Sequence, residues 1–183
     1  MSQPVSIKTK DNQHVILRKL NANDLDRLTD YLHHLSDETK KRFAPHHYDK
    51  KSIIDFFSWP NENNGFVAEA VTEGRIIGYA VVKCGCLEHD ESRLKSYGLI
   101  PGEVKCGSFA PSVADAWQSL DIGQHMLKYI LKELKMAGIK KVVLWGGVQC
   151  NNDKAVNFYK KAGFKTLGEF EYFGLNYDMA LDV

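Results

Sequence analysis

Hydrophobic and polar positions along the chain predict alternating strands and helices. Residues 14–20 alternate as in a half-buried strand, and residues 21–36 carry apolar side chains at helical spacing. Asn21 or Asn23 is expected to cap this first helix. A second short helix is predicted to stop before Pro60. The apolar positions of the first helix are Leu25, Leu28, Leu32 and Leu35.

The middle of the chain predicts a hairpin, a loop and a further strand. Two apolar, β-branched runs at 65–71 and 75–85 indicate the hairpin. The polar segment 86–102 is expected to form a surface loop. A strand over 103–111 is expected to end at Pro111, because proline cannot donate to a strand ladder.

The C-terminal half predicts a strand–helix–strand unit and a closing hairpin. An apolar stripe indicates a helix closed by Gly138, followed by a buried strand over 140–148. Together with the preceding strand, these elements form a unit over about 103–148. A further amphipathic helix over 153–163 precedes a hairpin over 164–183.

Length and composition favour one compact domain over residues 1–183. The chain has 183 residues, of which 44% are hydrophobic and 26% charged, enough for one sizeable core. The net charge of +1 gives no reason to expect nucleic acid or a membrane as partner. Because no signal peptide or membrane-spanning run is recognised, a cytoplasmic protein is expected.

Cysteine and histidine positions favour no metal site. Reduced thiols are the expectation, since nothing supplies the paired C-x-x-C spacing of structural zinc sites. A soft-metal site stays open as an alternative, because the first two cysteines share a strand face and the third lies on a predicted neighbour. The cysteines are Cys84, Cys86, Cys106 and Cys150. Two histidine pairs are expected to be polar surface: His33–His34 and His46–His47.

The segment 118–124 connects a predicted strand to a predicted helix. Backbone N–H groups at a helix start lack intrahelical partners, and the helix dipole is positive there, so this turn can bind an anion. Gly123 allows close approach of a ligand, and Ser119 is small. Asp121 would repel a phosphate unless its side chain turns away. From these residues alone, an ordinary helix start with Asp121 against the dipole is the favoured interpretation.

Two segments resemble the signature segments of the GCN5-related N-acetyltransferases. The first signature, Gln/Arg-x-x-Gly-x-Gly/Ala, is matched in part by Gln118, Asp121 and Gly123, with Asp121 replacing the middle glycine. The second, Asn-x-x-Ala-x-x-x-Tyr-x-x-x-Gly-Phe, is matched at every position. Its residues are Asn152, Ala155, Tyr159, Gly163 and Phe164. The resemblance implies an α/β (α+β) fold with a mixed, largely antiparallel sheet flanked by helices.

The resemblance implies acetyl-CoA as cosubstrate and no metal. Family members hold acetyl-CoA where two parallel strands splay apart, here around 105–110 and 141–148. The backbone near Phe109 and Ala110 would bind the pantetheine arm. The pyrophosphate would lie on the first signature segment, and Asn152 and Tyr159 would add contacts. The implied residues of that segment are Gln118, Ser119, Leu120, Asp121, Ile122, Gly123 and Gln124.

The resemblance also implies catalytic roles, each with an ordinary alternative. Tyr159 would protonate the departing thiolate, or it is an amphipathic tyrosine packed at a helix edge. Asn152 would contact CoA and cap its helix. Glu103 would take a proton from the amine, directly or through water, although an exposed strand-end charge is the favoured interpretation. Because the amine attacks the thioester directly, Cys106 and Cys150 are not expected to be nucleophiles.

The function implied is transfer of an acetyl group from acetyl-CoA to a primary amine. The acceptor, a small molecule or a protein, is left open because fold does not fix substrate. A homodimer is also left open. A regulatory module that binds acyl-CoA without turnover is the alternative, with Asp121 as its argument. A purely structural domain would need both motif matches to be coincidence.

Overall fold

The computed structural model describes residues 3–58, 63–99 and 104–183. The chain divides into two compact units, one of residues 1–82 and 110–133 and one of residues 83–109 and 134–183. The single domain over residues 1–183 stays a prediction. No helix within the described residues is long and apolar enough to cross a membrane.

The first unit contains an antiparallel sheet with helices. Strands β1 and β2 pair antiparallel, as do β2 and β3, and β4 follows β3 in the strand order. The fold thus confirms the predicted hairpin and first two helices and adds two elements that were not predicted, β1 and α2. The elements are β1 (Val5–Lys8), β2 (His14–Lys19), α1 (Leu25–His33), α2 (Asp37–Arg42), α3 (Lys50–Phe57), β3 (Asn63–Ala70) and β4 (Arg75–Cys84).

The first helix begins where the sequence expected it. Asn21 accepts a hydrogen bond from the backbone of Asn23, and Asp24 bonds back to the backbone of Asn21, so a capping box starts the chain segment that becomes α1. The fully buried Asp24 carboxylate is also ion-paired with Arg18 of β2 at 2.6 Å. Because a buried carboxylate needs a partner, this pair fixes the helix start against the sheet.

The second unit is built on strands at the C-terminal end of the chain. β5 and β6 pair in parallel, β6 and β9 pair antiparallel, and both β7 and β8 pair antiparallel with β9. The sheet is therefore mixed and largely antiparallel, as predicted. The remaining elements of the chain are α4 (Glu88–Ser96), β5 (Cys106–Val113), α5 (Ile122–Met136), β6 (Lys141–Leu144), β7 (Val148–Gln149), α6 (Asp153–Lys161), β8 (Lys165–Glu171) and β9 (Leu175–Asp182).

The predicted loop over 86–102 was wrong, because residues 88–96 form helix α4. This helix has one fully buried leucine, Leu94, so it lacks the apolar stripe on which the sequence argument relied. Its acidic first turn and basic last turn match the helix dipole and were the available signal. Asp90 is buried and paired with Arg93, which also bonds Asp178 of β9.

The predicted strand over 140–148 is interrupted. β6 ends at Leu144, and Gly146 and Gly147 both have positive φ before β7 resumes. A Cβ on Gly147 would lie 2.7 Å from the Phe170 ring and 2.8 Å from a Tyr177 carbonyl oxygen. Close packing and left-handed backbone both demand glycine here, so the strand breaks.

β5 runs through Pro111 to Val113, so the predicted end at Pro111 was wrong. Ala114 donates its backbone N–H to Ile77 of β4. Because backbone groups of successive strand residues point to alternate sides, the nitrogen of Pro111 points away from β4. A proline costs the strand no hydrogen bond to β4 at that position.

Candidate functional site

The turn from Gln118 to α5 has an unusual backbone. Ser119 has φ +66° and Asp121 has φ +65°, so two non-glycine residues adopt the left-handed conformation within three positions. His125 donates to the Asp121 carbonyl, the first bond of α5. The N–H groups of the first turn of a helix have no intrahelical acceptor, and the helix dipole is positive at this end.

The Asp121 side chain forms an ion pair with a lysine. Its carboxylate lies 2.9 Å from the Nζ of Lys10, in the connection between β1 and β2. The Lys10 side chain is 62% exposed and that of Asp121 is 38% exposed, so solvent screens this pair. The lysine places a positive charge next to the one residue of the turn that opposes an anion. Sequence reasoning missed Lys10, because its 111-residue separation from Asp121 gives no local signal.

Side-chain hydrogen bonds fix the approach to the turn. The Gln118 amide donates to the Val113 carbonyl at 3.1 Å. Asp115 accepts from both the backbone N–H and the hydroxyl of Ser36 and from the hydroxyl of Thr39, at the start of α2. Gln118 therefore holds the turn against the end of β5.

The part of β5 that pairs with β6 ends at Phe109. Parallel pairing with β6 runs from Cys106 opposite Lys141 to Phe109 opposite Leu144. The Trp145 N–H then donates to the Phe109 carbonyl at 3.0 Å. β6 stops at Leu144, whereas β5 continues to Val113. Phe109 is buried, and Ala110 is the first residue beyond the pairing.

Asn152 and Tyr159 lie on helix α6 of the second unit. Asn152 is its N-cap, and its side-chain oxygen accepts from the Ala155 N–H at 3.2 Å. The cap role is therefore observed. Tyr159 lies about two helical turns further along and is 7% exposed. Its ring packs edge-on against Phe158 at 5.2 Å and Phe164 at 5.3 Å.

Burial controls the chemistry of Tyr159. Desolvation raises the pKa of its phenol above the ordinary value, so the group is protonated at neutral pH. Burial is the cause of this shift. A protonated phenol can donate a hydrogen bond to an anion that forms beside it.

Comparison with protein families matches residues 29–164 to the acetyltransferase (GNAT) family. The chain belongs to the GNAT family. The GNAT domain of S. lividans PAT has 19% identity and a TM-score of 0.75, covering 98% of this chain and 97% of that one. The ribosomal-protein-S5-alanine acetyltransferase from Vibrio fischeri has 12% identity and a TM-score of 0.71, covering 97% and 96%. Among curated proteins, none matches.

A further GNAT structure is also similar in fold to this chain. The acetyltransferase of the GNAT family from Streptococcus pneumoniae has 16% identity and a TM-score of 0.67, covering 92% of this chain and 99% of that one. Identities this low show the fold alone. The GNAT assignment confirms the family resemblance and the fold class predicted from the sequence, and it supports acyl transfer as the general activity.

The remaining sequence-predicted residues of this GNAT protein have different outcomes. Glu103 lies outside the described residues, so its role as base stays a prediction. The described residues include no cluster of three or more His, Cys, Asp or Glu side chains able to hold a metal ion. Cys86 and Cys106, on adjacent segments as the sequence suggested, have Sγ atoms 2.9 Å apart, and both are free thiols.

His46 is not the polar surface residue that its sequence context predicted. Its ring lies 4.7 Å from that of Phe56, and its Nε2 is 2.9 Å from the Tyr79 hydroxyl. The Nδ1 is 2.7 Å from the His47 carbonyl oxygen, which only accepts, so Nδ1 carries the proton and Nε2 accepts from Tyr79. Burial lowers the pKa of His46, and the neutral ring satisfies both contacts.

Proposed function

We propose that this protein transfers an acetyl group from acetyl-CoA to a primary amine by direct attack of the amine on the thioester. The observation that carries the proposal is the backbone of the 118–124 turn. Two of its residues are left-handed: Asp121, at the position of the signature's middle glycine, and Ser119, two positions before it. Non-glycine residues in this conformation are uncommon and cluster at functional sites, so Ser119 and Asp121 support a ligand site at this turn.

The turn is proposed to bind the pyrophosphate through main-chain donors. Residues 119–124 supply N–H groups at the positive end of α5, a helix of 15 residues. A main-chain donor does not depend on the side chain of its residue, so aspartate at 121 is compatible with this role. Lys10 supports the fit because it offsets the carboxylate charge.

The stretch of β5 that no longer pairs with β6 is proposed to bind the pantetheine arm. Beyond Phe109, the backbone from Ala110 onward is no longer paired with β6. An extended ligand that carries amides can add to such an edge through hydrogen bonds to the main chain. The proposed contacts are backbone contacts, so they constrain the side chains of Phe109 and Ala110 little.

Tyr159 is proposed as the general acid. As the carbon–sulfur bond of the thioester breaks, negative charge develops on the sulfur, and a phenol that keeps its proton can donate to it. A phenol is protonated at neutral pH, and the raised pKa of Tyr159 extends the protonated form to higher pH. Asn152 is proposed to contact CoA through its amide nitrogen while its oxygen caps α6.

The acceptor must be a neutral amine, because an ammonium has no lone pair with which to attack. Glu103 is proposed to accept the proton, directly or through water. No covalent enzyme intermediate is needed, since the amine displaces the thiolate from a tetrahedral intermediate. Backbone donors stabilise the oxyanion that forms in that step.

The test is acetyl-CoA turnover against a panel of amines, with release of free thiol as the readout. The panel contains polyamines, amino acids, aminoglycosides and peptides that begin with alanine, the acceptor type named for the Vibrio fischeri relative. Reactions without amine correct for the four cysteines of the protein. Thiol release that depends on one amine, with an acetylated product by mass, supports the proposal.

Binding is measured separately from turnover. Saturating CoA at about a hundred times its dissociation constant should stabilise the fold by roughly 2.7 kcal/mol, seen as a raised melting temperature. Stabilisation without turnover on any amine would favour the regulatory module. No stabilisation by CoA or acetyl-CoA at millimolar concentration would contradict both functions.

A further inference from the structure

The thiols of Cys86 and Cys106 lie side by side in the second unit. Their Sγ atoms are 2.9 Å apart, closer than an ordinary nonbonded contact between two sulfurs. A disulfide bond is about 2.05 Å long, so bond formation requires the sulfurs to approach by less than an ångström. The pair is therefore preorganised for a bond that the free thiols have not made.

Backbone contacts hold this arrangement. Gly85 donates its N–H to the Cys106 carbonyl at 2.8 Å, and the Ser108 hydroxyl donates to the Gly85 carbonyl at 3.0 Å. Gly85 has φ +89°, a left-handed conformation that turns the chain after β4. Cys86 is thus fixed next to β5 by its neighbour in the chain, and the contact does not depend on a long side chain.

The two sulfurs can be reached from outside. They line a pocket of about 270 Å³ formed by residues 84–86, residues 104–106 and Ile139. Cys106 is 7% exposed and Cys86 is half-buried. A molecule as small as hydrogen peroxide can enter such a pocket, whereas a folded protein cannot reach the deeper thiol.

The pairing also makes the two thiols unequal. The hydrogen bond between the two thiols lowers the pKa of Cys106 and raises the pKa of Cys86. The thiolate is the reactive form of cysteine, so Cys106 attacks an oxidant first. Cys86 is then placed to resolve the product.

We propose that Cys86 and Cys106 form a redox-active dithiol that hydrogen peroxide converts to a disulfide. The Cys106 thiolate attacks one peroxide oxygen and breaks the O–O bond, which gives a sulfenic acid and hydroxide. The Cys86 sulfur then displaces the sulfenic oxygen and forms the S–S bond. Overall, two thiols and one peroxide give one disulfide and two waters, and dithiothreitol reverses the change by thiol–disulfide exchange.

The experiment uses the folded chain of 183 residues, treated with hydrogen peroxide, quenched with catalase and alkylated under denaturing conditions. The reduced protein should alkylate at all four cysteines, whereas the oxidised protein should alkylate at only two and lose two hydrogen atoms in mass. Peptide mapping should join the peptides that contain Cys86 and Cys106. Dithiothreitol should restore all four alkylated sites.

Serine variants assign the bond. Cys86→Ser should abolish the cross-link, and Cys106→Ser should do the same. Cys150→Ser should leave the cross-link unchanged, since Cys150 bonds Tyr177 elsewhere in this unit. Cys84→Ser is the closer control, because Cys84 lines the same pocket. Circular dichroism checks that each variant folds. Cys86→Ser should disturb packing less than Cys106→Ser, because Cys86 is only half-buried.

Any of three results would overturn the proposal. One is four alkylatable thiols in the wild type after millimolar peroxide; another is a cross-link that involves Cys84 or Cys150 or persists in folded Cys86→Ser. Oxidation of Cys106 to a sulfinic acid without a cross-link would also contradict it. None of these readouts depends on acetyl transfer, so the dithiol and the proposed function can fail separately.

Discussion

Asp121 is ion-paired with Lys10 at 2.9 Å, and the aspartate stands where the first family signature has its middle glycine. Its φ of +65° is the conformation that glycine adopts most easily. Residue 121 therefore combines a backbone conformation that suits glycine with a charged side chain. Lys10, in the connection between β1 and β2, offsets the negative charge of this aspartate.

CoA affinity should report this pair. Asp121→Gly should tighten CoA binding, and Lys10→Met should weaken it roughly fivefold, the equivalent of about 1 kcal/mol between nearby charges in water. Once residue 121 is glycine, Lys10→Met should have a much smaller effect. Titration calorimetry on the four proteins of this double-mutant cycle gives the coupling.

The effect of Lys10→Met should also shrink at high salt, because both side chains are partly exposed. Weaker binding by Asp121→Gly than by wild type would mean that the carboxylate supports the ligand. Equal effects of Lys10→Met in both backgrounds would mean that Lys10 acts on the phosphates alone.

Tyr159→Phe should lower kcat by about 10²-fold or more, the range for a positioned general acid, with little change in CoA affinity. The substitution keeps the ring that packs on Phe158 and Phe164, so the melting temperature should change little. Tyr129→Phe is the matched control, because both tyrosines are 7% exposed. Equal turnover of Tyr159→Phe and wild type on a confirmed acceptor would assign Tyr159 to packing.

The pH profile adds a second readout for Tyr159. Burial raises its pKa, so loss of the acid should appear only above the ordinary phenol range near pH 10. The decline of kcat in alkaline solution should be absent in Tyr159→Phe. A decline at the same pH in both proteins would point to a different ionising group.

Variants of Asn152 should separate its two roles, the cap of α6 and the proposed contact with CoA. Asn152→Ala removes the N-cap of α6 and should destabilise the protein by about 1 kcal/mol. Asn152→Ser keeps an oxygen that can accept from the Ala155 N–H, so its stability should stay near wild type. Both variants lack the amide nitrogen, and both should bind CoA more weakly. Wild-type affinity in a stable Asn152→Ser protein would leave only the cap role.

His46 should make stability depend on pH. The pKa of His46 is lowered in the folded protein. Below about pH 6.5 the unfolded chain therefore binds a proton that the folded chain does not bind. The free energy of unfolding should therefore fall as pH decreases from about 6.5, by up to about 1.4 kcal/mol per pH unit for this one proton.

Chemical denaturation between pH 5 and 8 measures that slope. His46→Gln should flatten it even if the variant is less stable throughout, because the slope depends on the titration and not on the starting stability. His47→Gln, at the exposed neighbour, is the control and should keep the slope. An unchanged slope in His46→Gln would assign the pH dependence to other groups.

Sequence patterns predicted elements whose signals are local. The second signature, the Asn21 and Asn152 caps and the left-handed Gly138 and Gly163 all depend on a few adjacent residues, and the structure has them as expected. The strand–helix–strand order also follows from local periodicity. These features needed no knowledge of which segments meet in space.

The missed features depend on contacts between distant segments. Helix α4 buries Asp90, paired with Arg93, and a single leucine in place of an apolar stripe, so hydropathy gave no signal. His46 is partly buried because it packs against Tyr79 and Phe56, which two adjacent histidines in a polar run do not reveal. Lys10 meets Asp121 only after the chain has folded.

Pro111 gives the outer side of β5 a chemical polarity. On the side away from β4, this residue offers a carbonyl oxygen but no N–H, and the next residue facing that way is Val113. A peptide-like molecule laid along the strand must bring a donor to position 111 and finds a donor only at Val113. The strand therefore distinguishes one direction of an extended amide chain from the reverse, through an atom that proline lacks.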